Sequence, residues 1–191
     1  MLAQAKRFTI AEYHRLEEMA FFNGDRTELI TGEIVSRAAK GTKHTVCCSN
    51  FLRELATLIN DRAVLRCQDP IFLPPNSEPE PDFAIVRDRD DNYLTGHPTP
   101  DDILLVIEIS DSSLNYDRDV KGAMYAESGI ENYWLFNLLD NRLEVYSEPY
   151  RDAQGNGTYA QRKYVLSHQA IDLPSFDNLS IELSKIFPSH P

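Results

Sequence analysis

The spacing of apolar residues along the chain predicts both helices and strands. In 44–60, large apolar residues recur at roughly 3.6-residue spacing, which is typical of an amphipathic helix of about four turns. Residues 103–110, ILLVIEIS, are almost continuously aliphatic, as in a strand that is covered on both faces. The apolar set of the predicted helix comprises Val46, Phe51, Leu52, Leu55, Leu58 and Ile59.

The flanking segments predict a mixed β-sheet between helices. TIAE at 9–12 has the capping-box pattern and predicts a short helix through about Met19. TELITGEIVSRA at 27–38 predicts a hairpin turning at Thr31-Gly32. A helix that ends near Gly129 separates two predicted strands and favours a right-handed crossover, so we expect an α/β fold with an additional N-terminal hairpin and C-terminal strands. The other predicted strands are AVLRC at 63–67, IFLPP at 71–75, DFAIV at 82–86, NYWLFN at 132–137, RLEVYS at 142–147 and the region from 158 onward.

Length and composition indicate a globular protein. The chain has 191 residues, 42% of them hydrophobic, which predicts one domain over 1–191. No stretch approaches the roughly 18 apolar residues of a membrane span, and the N-terminus lacks a signal-peptide core. Three cysteines form neither a disulfide framework nor a zinc spacing; we interpret Cys47 and Cys48 as core residues and expect a cytoplasmic protein.

The charge of the chain counts against one class of partner. A formal net charge of −11 provides no long-range attraction for nucleic acid. A nucleic-acid function therefore requires a local basic patch or a bound metal. The sequence also lacks a P-loop, a glycine-rich dinucleotide fingerprint and a nucleophile elbow.

Two acidic residues suggest where such a metal would bind. Glu108 interrupts the aliphatic strand, where an uncompensated carboxylate costs several kcal/mol. Asp82 opens another predicted strand, and if the two strands are neighbours, both acids project from the same end of the sheet. A divalent cation between them, Mg²⁺ or Mn²⁺, would relieve their repulsion, and the backbone carbonyl of Ile109 would supply a further oxygen ligand.

Lys121 completes the candidate site. It lies on the predicted helix after the Glu108 strand, where a lysine can orient water or stabilise charge on a phosphate. Together, a metal, an activated water and a cation would make a phosphodiesterase centre with Asp82, Glu108 and Lys121 as its catalytic residues.

These residues resemble a known family. EPDFAIV, LLVIEIS and DRDVKGAMYAESGIENYWLFN are similar to the Uma-type endonucleases, also called domain of unknown function 820, of the restriction-endonuclease-like PD-(D/E)xK superfamily. Pro81-Asp82 and Glu108 match the superfamily pattern, whereas Ser110 stands where it has lysine; the family places that lysine on the next helix, at Lys121. YAESGIENYWL is the most specific match, and the similarity, which also includes ELITGEIV and His44, covers most of 8–147. It implies a nuclease fold and a magnesium site, but no particular substrate.

Each candidate residue also has a structural interpretation. Asp82 is then a turn residue, Glu108 the buried partner of an arginine, and Lys121 a surface residue that pairs with Asp117. His44 is a neighbour of the metal site, a contact of the substrate or an exposed residue of the first helical turn, and the last interpretation is slightly favoured. Glu33 points into the site from the hairpin or, as is usual for a strand glutamate, into solvent.

Two functions of different kinds follow. The first is a Mg²⁺-dependent endonuclease that hydrolyses DNA; RNA or a nucleotide is a weaker expectation for the substrate. The second is a catalytically inactive nuclease-fold module that binds or regulates a partner, which the charge of −11 and the serine at position 110 favour. Nucleases that cut both strands often pair subunits, so a homodimer is a further expectation, although no segment marks a dimer face.

Overall fold

A six-stranded mixed sheet organises the molecule and positions the candidate residues. The computed structural model describes residues 5–37 and 39–188. The sheet has the order β3-β4-β5-β6-β7-β8, and two further two-stranded sheets pair β1 with β2 and β9 with β10. The elements are α1 (Ile10–Glu18), β1 (Thr27–Ile30), β2 (Glu33–Ser36), α2 (Thr42–Ile59), β3 (Val64–Cys67), β4 (Phe83–Val86), β5 (Ile103–Ser110), α3 (Gly122–Glu127), β6 (Asn132–Asn137), β7 (Arg142–Arg151), β8 (Gly157–Leu166), β9 (Ala170–Asp172) and β10 (Ser180–Glu182).

Strand β5 is the centre of the topology. It pairs antiparallel with β4 and parallel with β6, so the chain crosses over between β5 and β6 through a helical segment. All eight residues of β5 are buried, as its aliphatic sequence predicts. The expected mixed sheet flanked by helices is confirmed, with the hairpin and C-terminal strands added to it.

Helices cover both faces of the sheet. On one face, α2 inserts Phe51 against Phe83 and Phe136, with ring centroids 4.9 Å and 5.2 Å apart. On the other face, Tyr125 of α3 packs against Tyr133 of β6 at 5.1 Å. Burial of one such aromatic ring stabilises a fold by about 1.5–3 kcal/mol. The two layers therefore hold β5 and its neighbours rigidly, which a site built on them requires.

The local signals in the N-terminal region are confirmed. The Thr9 hydroxyl accepts a hydrogen bond from Glu12 N–H and the Glu12 carboxylate accepts one from Thr9 N–H, which completes the capping box of α1. The hairpin turns at Thr31 and Gly32, with φ angles of 47° and 81°. Positive φ at both turn residues is what a tight two-residue turn requires.

Two sequence predictions about apolar segments were wrong. Residues 71–75 form no strand; Leu73 makes only an isolated bridge with Ser77, because the two prolines that follow Leu73 have no N–H to donate to a sheet. In α2, Val46 and Leu52 of the predicted apolar set are 46% and 43% exposed, whereas Phe51, Leu55 and Ile59 are buried. Cys47 is buried as predicted.

The segment after β5 differs from the predicted regular helix. It begins as a π-helical turn, Tyr116–Lys121, in which Gly122 N–H donates to the Asp117 carbonyl, and only then continues as α3. Wide turns of this kind are frequent at functional sites because they redirect the side chains around them. Here the turn directs Arg118 and Lys121 toward two carboxylates of the sheet.

No helix in 5–37 or 39–188 is long and apolar enough to cross a membrane. The assignment of 1–191 to one domain stays a prediction.

Candidate active site

The two acids selected from the sequence are neighbours at the end of the sheet. Phe83 of β4 pairs with Ile107 of the antiparallel strand β5. The next residue along this register on each chain segment is Asp82 and Glu108, which therefore lie opposite each other. Asp82 N–H lies 3.4 Å from Glu108 Oε2. Both side chains are buried, with 4% of each residue exposed. The structure therefore brings the two carboxylates together, as the sequence argument requires.

Asp82 is held in its ionised form by local donors. Its Oδ2 accepts a hydrogen bond from Ile109 N–H at 2.9 Å and lies 3.0 Å from His44 Nε2. Burial alone would raise the pKa of Asp82, but these contacts, first of all that with His44, hold the pKa below its usual value. Asp82 is thus a fixed negative charge at this end of the sheet.

Glu108 has the opposite tendency although it contacts a cation. Its Oε1 accepts hydrogen bonds from Lys121 Nζ at 2.9 Å and from the Tyr125 hydroxyl at 2.7 Å. Burial raises the pKa of Glu108 to about 8, against the attraction of Lys121, and the nearby Asp117 carboxylate adds to the rise. One ammonium group is too little compensation for the acids that meet at this position.

Lys121 lies between two glutamates and does not lie on the surface. Its Nζ is 2.9 Å from Glu108 Oε1 and 3.2 Å from Glu28 Oε2, and the residue is only 5% exposed. Burial lowers the pKa of Lys121, but the attraction of Glu108 and Glu28 outweighs burial and raises it. The alternative pair with Asp117 is not formed; Asp117 Oδ2 instead accepts hydrogen bonds from Ser110 and Ser113, both at 2.5 Å.

Of the two remaining candidates, His44 lies in the site and Glu33 lies outside it. His44 contacts Asp82 and only 13% of its side chain is exposed, which contradicts the favoured interpretation of an exposed first-turn residue. Glu33 lies outside the site; its side chain is 62% exposed and pairs with Arg7. In the hairpin, Glu28 is the acid that reaches Lys121.

Sequence reasoning selected neither Glu28 nor Tyr125 for the site. Glu28 is the first residue of the ELITGEIV segment that carries part of the family resemblance, and its burial in β1 is unusual for a glutamate. Tyr125 lies in the most specific matching segment, YAESGIENYWL, and its hydroxyl contacts Glu108. Their position within the two segments that resemble the family was the signal that could have identified both residues as part of the site.

A pocket of about 440 Å³ opens at this end of the sheet. The backbone of Ile109 borders it, and because the N–H and C=O groups of one strand residue point to the same side, the Ile109 carbonyl faces Asp82 as its N–H does. Asp82, Glu108 and this carbonyl offer hard oxygen donors of the kind that Mg²⁺ and Mn²⁺ prefer. The other lining residues that matter here are Glu28, His44, Tyr116 and Lys121.

A second donor set shares Asp82. Ligand atoms of His44, Cys48 and Asp82 all lie within 4.8 Å of one another. A set with nitrogen and sulfur suits a softer transition metal. Burial raises the pKa of the Cys48 thiol to about 12, so binding there requires the loss of a tightly held proton. The oxygen set therefore fits a divalent cation at neutral pH better.

Known proteins are similar to this chain over most of its length. Residues 10–184 match the family described as "Uma2: Putative restriction endonuclease". A crystal structure of "a putative nuclease belonging to DUF820" from Anabaena variabilis ATCC 29413 superimposes with a TM-score of 0.69 at 15% sequence identity. The superposition covers 94% of this chain and 97% of that one, which establishes a shared fold. No protein with curated annotation matches the sequence.

Proposed function

The chain belongs to the Uma2 family, described as "Putative restriction endonuclease", and we propose that it is a divalent-metal-dependent endonuclease that hydrolyses phosphodiester bonds in DNA. Asp82, Glu108 and Lys121 are the proposed catalytic residues. The observation that carries the proposal is their convergence: Glu108 lies within hydrogen-bond distance of both Asp82 N–H and Lys121 Nζ, at the wall of an open pocket.

The unbalanced charge of the pocket supports a role for a cation. A buried carboxylate whose pKa is raised to about 8 is poorly compensated by its present partners. We assign Asp82, Glu108 and the Ile109 carbonyl as the groups that would hold Mg²⁺ or Mn²⁺. A cation bound there would increase the acidity of a water molecule and offset negative charge on the scissile phosphate.

The protein groups around the acids would fix their positions. Ile109 N–H and His44 hold Asp82 Oδ2, so this carboxylate has one defined orientation. The Tyr125 hydroxyl does the same for Glu108 Oε1. A partner that orients a ligand in this way supports metal affinity from outside the first coordination layer.

Lys121 would provide the cationic contact to the substrate. Glu108 and Glu28 hold its ammonium group charged at the inner end of the pocket, on a turn that packs against the sheet. A phosphate oxygen that enters the pocket meets this charge, and the interaction strengthens as negative charge accumulates in the transition state. A buried and fixed ammonium group needs little reorganisation for that role.

Cleavage of DNA by single-residue variants tests the proposal. Wild-type protein should cut plasmid or branched DNA with Mg²⁺ or Mn²⁺ and not with EDTA. Asp82→Asn and Glu108→Gln should each lower the rate by about a thousandfold or more, as expected when a preorganised electrostatic contact is lost. Glu182→Gln, at an exposed position of β10, is the matched control and should retain the full rate. Full activity in either pocket variant would refute the assignment.

An inactive binding module is the second candidate function. The direct contact of Lys121 with Glu108, at 2.9 Å, is the observation that favours it, because it supplies a cation to the site without a metal. Titration calorimetry separates the two candidates. Binding of Mn²⁺ by wild type but not by an Asp82→Asn, Glu108→Gln double variant supports the enzyme, whereas absence of binding to wild type supports the module.

A further inference from the structure

Three arginines surround a second buried glutamate. Arg118 donates to Glu144 through Nε at 3.0 Å and Nη2 at 2.7 Å, and Arg162 Nη2 donates at 2.5 Å. Arg142 Nη2 lies 3.4 Å from the same carboxylate and 3.0 Å from Asp140. The three guanidinium groups and two carboxylates carry one net positive charge, and two further acids, Asp119 and Asp152, line a neighbouring cavity with Arg162.

Two of these arginines retain unused donors. Arg162 and Arg142 have side chains that are 38% and 29% exposed. Their hydrogen bonds and ion pairs to other residues of 5–37 and 39–188 involve Nη2 alone. A guanidinium group has five N–H donors in a planar fork that matches phosphate geometry. Glu144 therefore fixes both groups. Arg142 Nε is buried without a partner, so the unused donors that an anion can reach belong mainly to Arg162, the more exposed of the two arginines.

The Tyr164 ring contacts both guanidinium groups. The Cζ atoms of Arg142 and Arg162 lie 4.3 Å and 4.9 Å from the centre of its ring, and the residue is 47% exposed. Cation–π contacts of this kind fix a guanidinium plane without consuming its N–H donors. We name Arg142, Arg162 and Tyr164 the arginine surface.

The arginine surface lies on the same sheet face as the acid pocket. Glu108 pairs with Leu135, Leu135 with Glu144, and Glu144 with Tyr164, so these side chains point to one side. Strands are about 4.8 Å apart, so Glu144 and Tyr164 lie roughly 10 Å and 14 Å across the sheet from Glu108. At 3.4 Å of helical rise per nucleotide, roughly three to four nucleotides of one DNA strand cover that distance.

We propose that the arginine surface binds the phosphate backbone of DNA whose scissile bond lies in the acid pocket. The inference rests on the proposed function and adds a contact site for the same substrate. Two acids define its limit: Asp119 and Asp152 line a neighbouring cavity of about 360 Å³ together with Arg118 and Arg162, so no excess positive charge is left for an anion there. The backbone therefore passes on the Tyr164 side.

The salt dependence of DNA binding tests this proposal. A fluorescent duplex of about 20 base pairs is titrated with the full chain carrying Asp82→Asn and Glu108→Gln, which prevents cleavage. Adding Arg162→Gln should reduce the slope of log K against log salt by about 0.9 and weaken binding about eightfold at 0.1 M salt, the effect of one lost phosphate contact. Arg53→Gln, on the exposed side of α2 and on the opposite sheet face, should change neither value.

A further variant and the possible outcomes distinguish failure of the arginine surface from misfolding and from failure of the nuclease proposal. Arg162→Lys keeps the charge and should retain the slope, so a loss with glutamine alone is electrostatic. A slope that Arg162→Gln leaves unchanged overturns the arginine surface, even if wild type cleaves DNA. A slope that depends on Arg162 in a protein that never cleaves DNA supports the surface and refutes the nuclease. Absence of duplex binding overturns the surface.

Discussion

Two buried glutamates on one face of the sheet differ in the number of donors they contact. Glu144 accepts hydrogen bonds from three arginines, from Asn137 and from the Tyr146 hydroxyl. Glu108 accepts from one lysine, one tyrosine and, at 3.4 Å, Asp82 N–H, and has other acids beside it. Each glutamate is contacted by a cation from the same π-helical turn, Arg118 for Glu144 and Lys121 for Glu108.

The difference is visible in how each acid ionises. Burial acts to raise the pKa of both, but at Glu144 the hydrogen bonds, those of Arg118 first, outweigh burial and lower the pKa well below its usual value. At Glu108 burial prevails and the pKa rises to about 8. A carboxylate whose charge is fully compensated by protein donors needs no further cation. A carboxylate whose charge is incompletely compensated can accept one.

Substitution of Glu144 should have the largest effect on stability. Glu144→Gln leaves three guanidinium groups around a site without an anion, and breaking a buried ion pair in this way costs about 3 kcal/mol or more. Urea-induced unfolding in EDTA measures the loss as a shift of the midpoint.

Glu108→Gln is the matched variant for that measurement. At pH 7 the glutamine resembles the protonated form that a pKa of about 8 favours, and Lys121 keeps Glu28 as a partner. The free energy of unfolding should change by less than about 1 kcal/mol, within the range of an ordinary hydrogen-bond substitution. Equal losses in the two variants would remove the distinction between a structural and a functional acid.

Metal affinity should depend on pH, an effect smaller in free energy than the loss of stability expected at Glu144. In the folded protein the pKa of Glu108 is about 8, whereas an unfolded glutamate has about 4.3. Between these values the folded state binds more protons, so Glu108 lowers the stability of the metal-free protein as pH rises toward 8. A divalent cation must displace that proton, so Mn²⁺ affinity should increase roughly fiftyfold from pH 6 to pH 8.

Calorimetry at pH 6, 7 and 8 measures this increase. Glu108→Gln removes the titrating group and should bind Mn²⁺ weakly with little dependence on pH. Affinity in wild type that stays constant across the range would mean that Glu108 is already ionised, as Glu144 is.

The fold was predictable where one signal dominated. The continuous aliphatic run of β5 requires cover on two faces, and the capping box of α1 is a local arrangement of two residues. The face of α2 was predicted less well because its apolar residues are spread around the helix, and packing against the sheet left Val46 and Leu52 exposed. The π-helical turn has no separate sequence signal, since it depends on contacts with the sheet.

The candidate site was predictable in part for a similar reason. Asp82 and Glu108 stand out because each interrupts or begins an apolar strand, and strand pairing then places them together. Glu28 and Glu33 lie on the same face of one hairpin, since Glu33 pairs with Ile30, two residues from Glu28, yet Glu28 is buried and Glu33, beside the turn, is exposed. Burial of Glu28 beside Lys121 depends on how the hairpin docks on the sheet, which periodicity within four-residue strands does not specify.

Glu33→Gln should have the smallest effect and tests whether position in the hairpin decides function. The Glu33 side chain is 62% exposed and its partner Arg7 is 51% exposed, and an ion pair of this kind contributes between 0 and about 1 kcal/mol. Glu33→Gln should shift the free energy of unfolding by less than about 0.5 kcal/mol. It should also leave Mn²⁺ affinity and any DNA cleavage at wild-type values, because the substitution changes no contact in the pocket.

Glu28→Gln, from the neighbouring strand, is the comparison variant. It removes a buried partner of Lys121 and should lower both Mn²⁺ affinity and DNA cleavage. A loss of cleavage in Glu33→Gln that equals the loss in Glu28→Gln would place the exposed acid in contact with the substrate, and the contrast between buried and exposed acids would no longer identify the site.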